Sequence, residues 1–184
     1  AGFQTLVYDI KQEFIDMGLA KIKSFLQGSR ERGKISAEQE SEILDRFHTS
    51  TRLDDTKGSA LVIEAAPEKL ELKRDIFKQL DAICSPETLL ATNTSSFNVT
   101  AIAAATVHQE RVLGLHFFNP PPLMALVEVI QGDHTSVETM EKATALMKAM
   151  GKTPARAKDT PGFIVNRVAR PFYNEGFFKQ KTAY

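Results

Sequence analysis

The chain has 184 residues, and its 23 basic and 23 acidic side chains cancel, so no field of one sign points to nucleic acid or an anionic membrane as partner. A chain of this length buries roughly 70% of its unfolded surface, enough for one good core and the beginning of another domain. Its single cysteine, Cys84, excludes an internal disulfide. It also fits a reducing compartment; no apolar stretch approaches the ~20 residues of a membrane span, and a soluble cytoplasmic protein is the expectation.

The first predicted element is a strand, Thr5-Leu6-Val7-Tyr8-Asp9, reached directly from Ala1-Gly2-Phe3-Gln4 with no starting Met. In a dinucleotide-binding βαβ unit, an acid ending the second strand takes the adenosine ribose, roughly 20 residues after a glycine-rich loop. Asp9 fits that position, although none of the ten glycines builds G-x-G-x-x-G. The strand and loop before it would lie upstream of residue 1. A helix N-cap at a strand–helix turn accounts for Asp9 equally well. Residues 11–32 then carry Phe14, Ile15, Leu19, Ile22, Phe25 and Leu26 at helical spacing. Ser36-Ala37-Glu38-Gln39 forms a capping box before a second helix with Ile43, Leu44 and Phe47. The two helices make an arm, about residues 11–47, whose basic end (Arg30, Arg32, Lys34) either meets an anionic group or is solvated surface.

From residue 60 the pattern alternates strand and helix. Ala60-Leu61-Val62-Ile63-Glu64-Ala65 is a continuous apolar run of the kind buried on both faces of a sheet. Pro67 opens a helix bearing Leu70, Leu72, Ile76, Phe77 and Leu80. The next strand, residues 88–92, ends in Asn93-Thr94-Ser95-Ser96, four small polar residues where open α/β sheets bind ligands. That cluster either contacts a ligand or caps a short helix over 99–105.

Leu115-His116-Phe117-Phe118-Asn119-Pro120 and Ala125-Leu126-Val127-Glu128-Val129-Ile130 read as two strands. The proline-rich connection is far too short for a parallel crossover, which predicts an antiparallel hairpin. If Phe117 pairs near Ala125, His116 opposes Leu126 and Glu128 lies diagonally on the same face, within reach of the imidazole. A carboxylate inside an apolar strand needs a partner. The pair is either a general base with its orienting acid or a satisfied structural contact. Thr135-Ser136-Val137-Glu138 caps a helix to Met150 with Gly151 as its stop. A short strand over 154–157 then leads into Asp159-Thr160-Pro161-Gly162-Phe163-Ile164-Val165-Asn166-Arg167, a domain junction followed by a helix over 163–178. The histidines form no cluster with metal-ligand spacing.

Asn93-Thr94-Ser95-Ser96, His116-Phe117-Phe118-Asn119-Pro120, Leu126-Val127-Glu128-Val129 and the 159–167 segment, in that order, resemble the signatures of the NAD-dependent 3-hydroxyacyl-CoA dehydrogenases. The 33–38 and 165–171 stretches look closest to the phenylacetate-catabolism branch acting on 3-hydroxyadipyl-CoA. The resemblance implies an α/β fold with a Rossmann-like doubly wound sheet, mostly parallel with an antiparallel hairpin at one edge and a helical arm inserted. Residues 1–160 would be the NAD-binding domain and 161–184 the truncated start of an all-α carboxyl-terminal domain. The implied reaction is oxidation of (S)-3-hydroxyacyl-CoA to 3-oxoacyl-CoA, in fatty-acid or phenylacetate-type catabolism, by a complete protein that dimerises.

Carried over residue by residue, the resemblance makes His116 the base and Glu128 its support. Ser95 and Asn166 would bond the reacting oxygen, and Asn119 would sit beside cofactor and substrate. Asp9 would take the ribose of NAD; Ala66, Pro67, Glu68 and Lys73, together with Ser95, would line its nicotinamide half. Arg32 would contact CoA, while Arg167 and Arg170 either favour a distal carboxylate or face solvent. The family's first strand and glycine loop are absent, so the pyrophosphate would lose contacts worth on the order of 5 kcal/mol. A non-catalytic dinucleotide-binding relative is the alternative.

Overall fold

The computed structural model describes residues 2–169 and 171, in two compact units, Ala1–Lys57 and Gly58–Tyr184. In the first, β1 (Thr5–Tyr8) pairs in parallel with β2 (Phe47–Ser50), and α1 (Gln12–Glu31) and α2 (Ala37–Leu44) connect them. The capping box forms as expected: Gln39 N donates to Ser36 Oγ, and Ser36 N donates to Gln39 Oε1. Phe47 belongs to no helix. Asp45 N donates to Ser41 O and Arg46 N to Ile43 O, which closes α2 and leaves Arg46 O to accept from Thr5 N at the start of the ladder. β2 is short and half exposed, so without β1 beside it there is no apolar pattern to reveal it.

The second unit holds β3 (Leu61–Glu64), α3 (Leu70–Ile83), β4 (Leu89–Thr92), α4 (Val99–Ala103), β5 (Val112–Phe117), β6 (Leu126–Gln131), α5 (Val137–Ala149) and β7 (Thr153–Lys158). Its sheet runs in the order β3-β4-β5-β6-β7. The β5–β6 hairpin is antiparallel, every other pairing is parallel, and β7 lies outside the hairpin. Met140, Ala143 and Met147 of α5 pack on Leu89, Ala91, Leu113, Leu115, Val127 and Val129 to make one core layer. Because side chains alternate along a strand, Thr92, Gly114, His116, Glu128 and Ile130 face the other way. That face is tight: a Cβ on Gly114 would lie 2.9 Å from Ile130 Cβ and 3.0 Å from Val99 Cγ2.

The hairpin register differs from the sequence expectation. Phe117 pairs with Val127 rather than near Ala125, and His116 stands directly opposite Glu128. Leu123 N and Met124 N both donate to Pro120 O, a compact turn, and Ala125 O accepts from Thr153 N toward β7 instead of pairing with β5. Two more boundaries shift: α3 begins at Leu70 after a turn in which Lys69 N donates to Pro67 O, and the α5 cap is Ser136, whose Oγ accepts from Thr139 N. Thr135 Oγ1 is committed to Val112 O. Gly151, at φ 75°, stops α5 as expected.

Beyond β7, Asp159 accepts from Val99 N and Thr100 N, both at 2.8 Å, and so fastens the strand end to α4. Gly162 and Phe163 follow at φ 76° and 49°. Residues 165–169 and 171 are helical; the remainder of the helix expected over 163–178, with Arg170, lies outside the described residues. No helix among the described residues is long and apolar enough to cross a membrane.

Candidate active site

The strand ends of β3, β4 and β5 carry the polar residues of one face. His116 is 7% exposed and Glu128 fully buried. His116 Nδ1 lies 2.6 Å from Glu128 Oε2. Glu128 Oε1 accepts from the backbone N–H of Ile164 and of Val165, each at 2.8 Å. Three donors thus satisfy a carboxylate with no access to water, the condition under which burial of a charge is tolerated. The rings of Phe118 and Phe163 flank the imidazole, at centroid distances of 4.7 and 5.7 Å. With Nδ1 committed to Glu128, Nε2 is the ring nitrogen left for a ligand.

His116 forms one wall of a cavity of about 270 Å³ that Ala66, Glu68, Lys73, Asn93, Ser95 and Phe117 also line. Beneath it runs a charged network. Lys73 is 1% exposed. Its ammonium meets Glu64 Oε1 at 2.8 Å, Ala66 O at 3.1 Å and Glu68 Oε2 at 3.2 Å, which uses its three N–H donors. Lys73 therefore holds the cavity wall together. Glu64 also accepts from Ala66 N at 2.6 Å and from Thr92 Oγ1 at 2.8 Å.

Glu68 Oε1 accepts from Thr94 Oγ1 at 2.7 Å and Ser95 N at 3.0 Å. Partial burial works to raise the Glu68 pKa, but those hydrogen bonds and the neighbouring Lys73 outweigh it and hold the carboxyl below the usual range. Asn93 Oδ1 accepts from Phe117 N, which seals β4 to β5 past the ladder. The cap of α4 is Asn98, whose Oδ1 accepts from Ala101 N. The 93–96 cluster is consequently not spent on capping.

Ser95 also borders a second cavity, of about 340 Å³, with Ser96, Gly162, Asn166 and Arg167. Asn166 Nδ2 donates to Ser95 O at 3.4 Å, and Arg167 Nη1 to Thr160 Oγ1 at 3.3 Å. The structure thus gathers His116, Glu128, Ala66, Glu68, Lys73, Ser95 and Asn166 in one region. Pro67 and Asn119 are exposed and line neither cavity. Asp9 and Arg32 belong to the first unit: Asp9 Oδ1 accepts from Lys11 N at 3.4 Å, a local turn contact. In the basic end of the arm, Arg30 pairs with Glu40 at 2.7 Å. Sequence reasoning missed the Ile164 and Val165 amides and the Glu64 carboxylate. Backbone donors carry no side-chain signature, but a Glu closing the apolar strand at 61–64 was a visible signal; that strand is the sheet's edge, with Leu61 and Val62 half-buried and Ile63 exposed, rather than buried on both faces as its apolar run suggested. Among the described residues no group of His, Cys, Asp and Glu could hold a metal ion.

Residues 1–160 match the family model described as 3-hydroxyacyl-CoA dehydrogenase, NAD binding domain. The chain is 48% identical over 96% of its length to 3-hydroxyadipyl-CoA dehydrogenase of Escherichia coli K12, and covers 37% of that protein. It is 43% identical over 97% of its length to the probable 3-hydroxybutyryl-CoA dehydrogenase of Bacillus subtilis, of which it covers 62%. The crystal structure of 3-hydroxybutyryl-CoA dehydrogenase from Escherichia coli K12 superposes with a TM-score of 0.94 at 47% identity, over 97% of this chain and 38% of that one. The chain therefore spans between about a third and two thirds of these relatives' lengths.

Proposed function

The chain belongs to the 3-hydroxyacyl-CoA dehydrogenase, NAD binding domain family, and we propose that it supplies the base and the nicotinamide pocket for NAD-dependent oxidation of (S)-3-hydroxyacyl-CoA to 3-oxoacyl-CoA. The observation that carries this reading is the His116–Glu128 pair, 2.6 Å apart at the wall of the cavity that Ser95, Glu68 and Lys73 also line. The donor set fits the cofactor: Ser95 and Asn93 offer hydrogen-bonding groups beside the apolar surfaces of Ala65, Ala66 and Phe117, as a flat aromatic amide requires. NAD held beside these residues would supply the acceptor for the hydride of C3.

The protein's own groups perform the rest. His116 Nε2 takes the proton from the 3-hydroxyl, and Glu128 keeps the ring in one tautomer and faces the positive charge that forms. Ser95 Oγ and Asn166 Nδ2 bond the oxygen on which charge develops. Glu68, ionised and anchored to Thr94 and Ser95, fixes the loop that presents Ser95. In the whole protein, residues 1–160 act as the NAD-binding part, 161–184 open an all-α part, and two copies assemble. The proposed setting is fatty-acid or phenylacetate-type catabolism.

Loss of NADH absorbance on adding acetoacetyl-CoA tests the reaction in its reverse direction, and 3-oxoadipyl-CoA in parallel tests the substrate class. Consumption is expected with both, with the adipyl substrate favoured because Arg167 borders the second cavity. Equal efficiency removes the case for a distal carboxylate. No consumption of either by the whole protein removes the reaction.

A further inference from the structure

Glu128 has two oxygens, and the contact with His116 uses one. The other is held by the amides of Ile164 and Val165, which lie past residue 160, where the family match ends. The chain reaches them through consecutive left-handed residues, Gly162 at φ 76° and Phe163 at φ 49°. Glycine accepts such a conformation freely, whereas a bulky aromatic adopts it only where its surroundings enforce it. Those surroundings are visible: Phe163 is 3% exposed, its ring lies against His116, and Phe163 N donates to Thr160 O. A Cβ on Gly162 would approach Asn166 Cβ to 3.3 Å.

We propose that the Gly162-Phe163 turn is a positioning device for the base, delivering two backbone amides to Glu128 Oε1 so that Oε2 alone faces His116 Nδ1. The last torsion of a glutamate is broad. Pinning one oxygen removes that freedom and gives the imidazole a partner in a single orientation. The segment after residue 160 thereby completes a pair whose two members both precede it. The inference rests on the reading of His116 and Glu128 as the base, and its test reads no turnover.

The experiment follows the His116 Nδ1–H proton by NMR in the ¹⁵N-labelled protein. Val165→Pro deletes one amide donor at the start of a helical run, where proline is sterically acceptable; Val165→Ala keeps the donor. Solvent exchange of the Nδ1–H is expected to quicken about tenfold in Val165→Pro, the scale of one hydrogen bond to a charged group, and to stay unchanged in Val165→Ala. Reciprocally, Glu128→Gln is expected to quicken exchange of the Ile164 and Val165 amides by about the same factor. A folded Val165→Pro protein with unchanged Nδ1–H exchange, or a Glu128→Gln protein whose two amides exchange as before, overturns the proposal. If Val165→Pro does not fold, Glu128→Gln decides alone. Full turnover in His116→Gln would instead remove the reading of the base and leave this coupling standing.

Discussion

Lys73 illustrates how the site divides labour among single residues. Its ammonium is enclosed by Glu64, Ala66 O and Glu68 and is nearly inaccessible to water, so it shapes the cavity more than it touches a ligand. Removing one member of a buried pair leaves the other charge uncompensated and costs about 3–5 kcal/mol. Lys73→Met is therefore expected to lower unfolding stability in urea by that amount, with the double variant Glu64→Gln/Lys73→Met recovering part of the loss through coupling of the pair. Equal stability of the single and parent proteins would show that Glu64 is satisfied by Ala66 N and Thr92 Oγ1 alone. His116 and Glu128 were legible in the sequence because a carboxylate between Val127 and Val129 demands a partner. The donors that complete Glu128 were not, since Ile164 and Val165 contribute only backbone.

At the scale of elements, the hairpin shows where local pattern stops being informative. Its antiparallel sense follows from a short proline-rich connection, and β6 falls within a residue of its apolar run, whereas β5 begins earlier than the run read from Leu115, at Val112, and ends at Phe117. The register does not, because it depends on how much chain the 120–124 turn consumes, and that is fixed by Leu123 N and Met124 N sharing Pro120 O. The actual register puts Glu128 directly opposite His116 rather than diagonal to it. β2 escaped notice for a related reason: its four residues become a strand only against β1. Gly114 is the element-scale position most sensitive to change. Gly114→Ala places a methyl 2.9 Å from Ile130 Cβ and 3.0 Å from Val99 Cγ2, and overpacking of this kind costs about 1–3 kcal/mol. A thermal melt of Gly114→Ala is expected to drop accordingly; an unchanged melting temperature would mean that α4 moves aside without penalty.

For the whole molecule, the pH dependence of stability is set partly by carboxyls that fold into ion-paired sites. Burial acts to raise the Asp81 pKa, but Arg111, Val107 N and His108 together lower it. Arg111 holds it with Nη2 at 2.6 Å and Nε at 3.2 Å, and also donates to Ser85 O. A carboxyl whose folded pKa lies below its unfolded value stabilises the protein above the unfolded value, about 3.9 for Asp. That contribution is lost as pH falls through the folded value. Glu68 acts in the same direction. The melting temperature is thus expected to fall below about pH 4, and Asp81→Asn to be less stable at neutral pH with a shallower acid slope. An unaltered slope would assign acid sensitivity to other carboxyls.

The role proposed for His116, oriented by Glu128, is that of the base in hydroxyacyl-CoA oxidation. Its most direct test is His116→Gln, with NADH oxidation by acetoacetyl-CoA and NADH affinity measured side by side. General-base catalysis contributes about 10²–10⁴-fold. The expected result is a fall in turnover of that size with NADH affinity nearly unchanged. Turnover that survives the substitution would contradict the claim and reduce the His116–Glu128 pair to a structural contact.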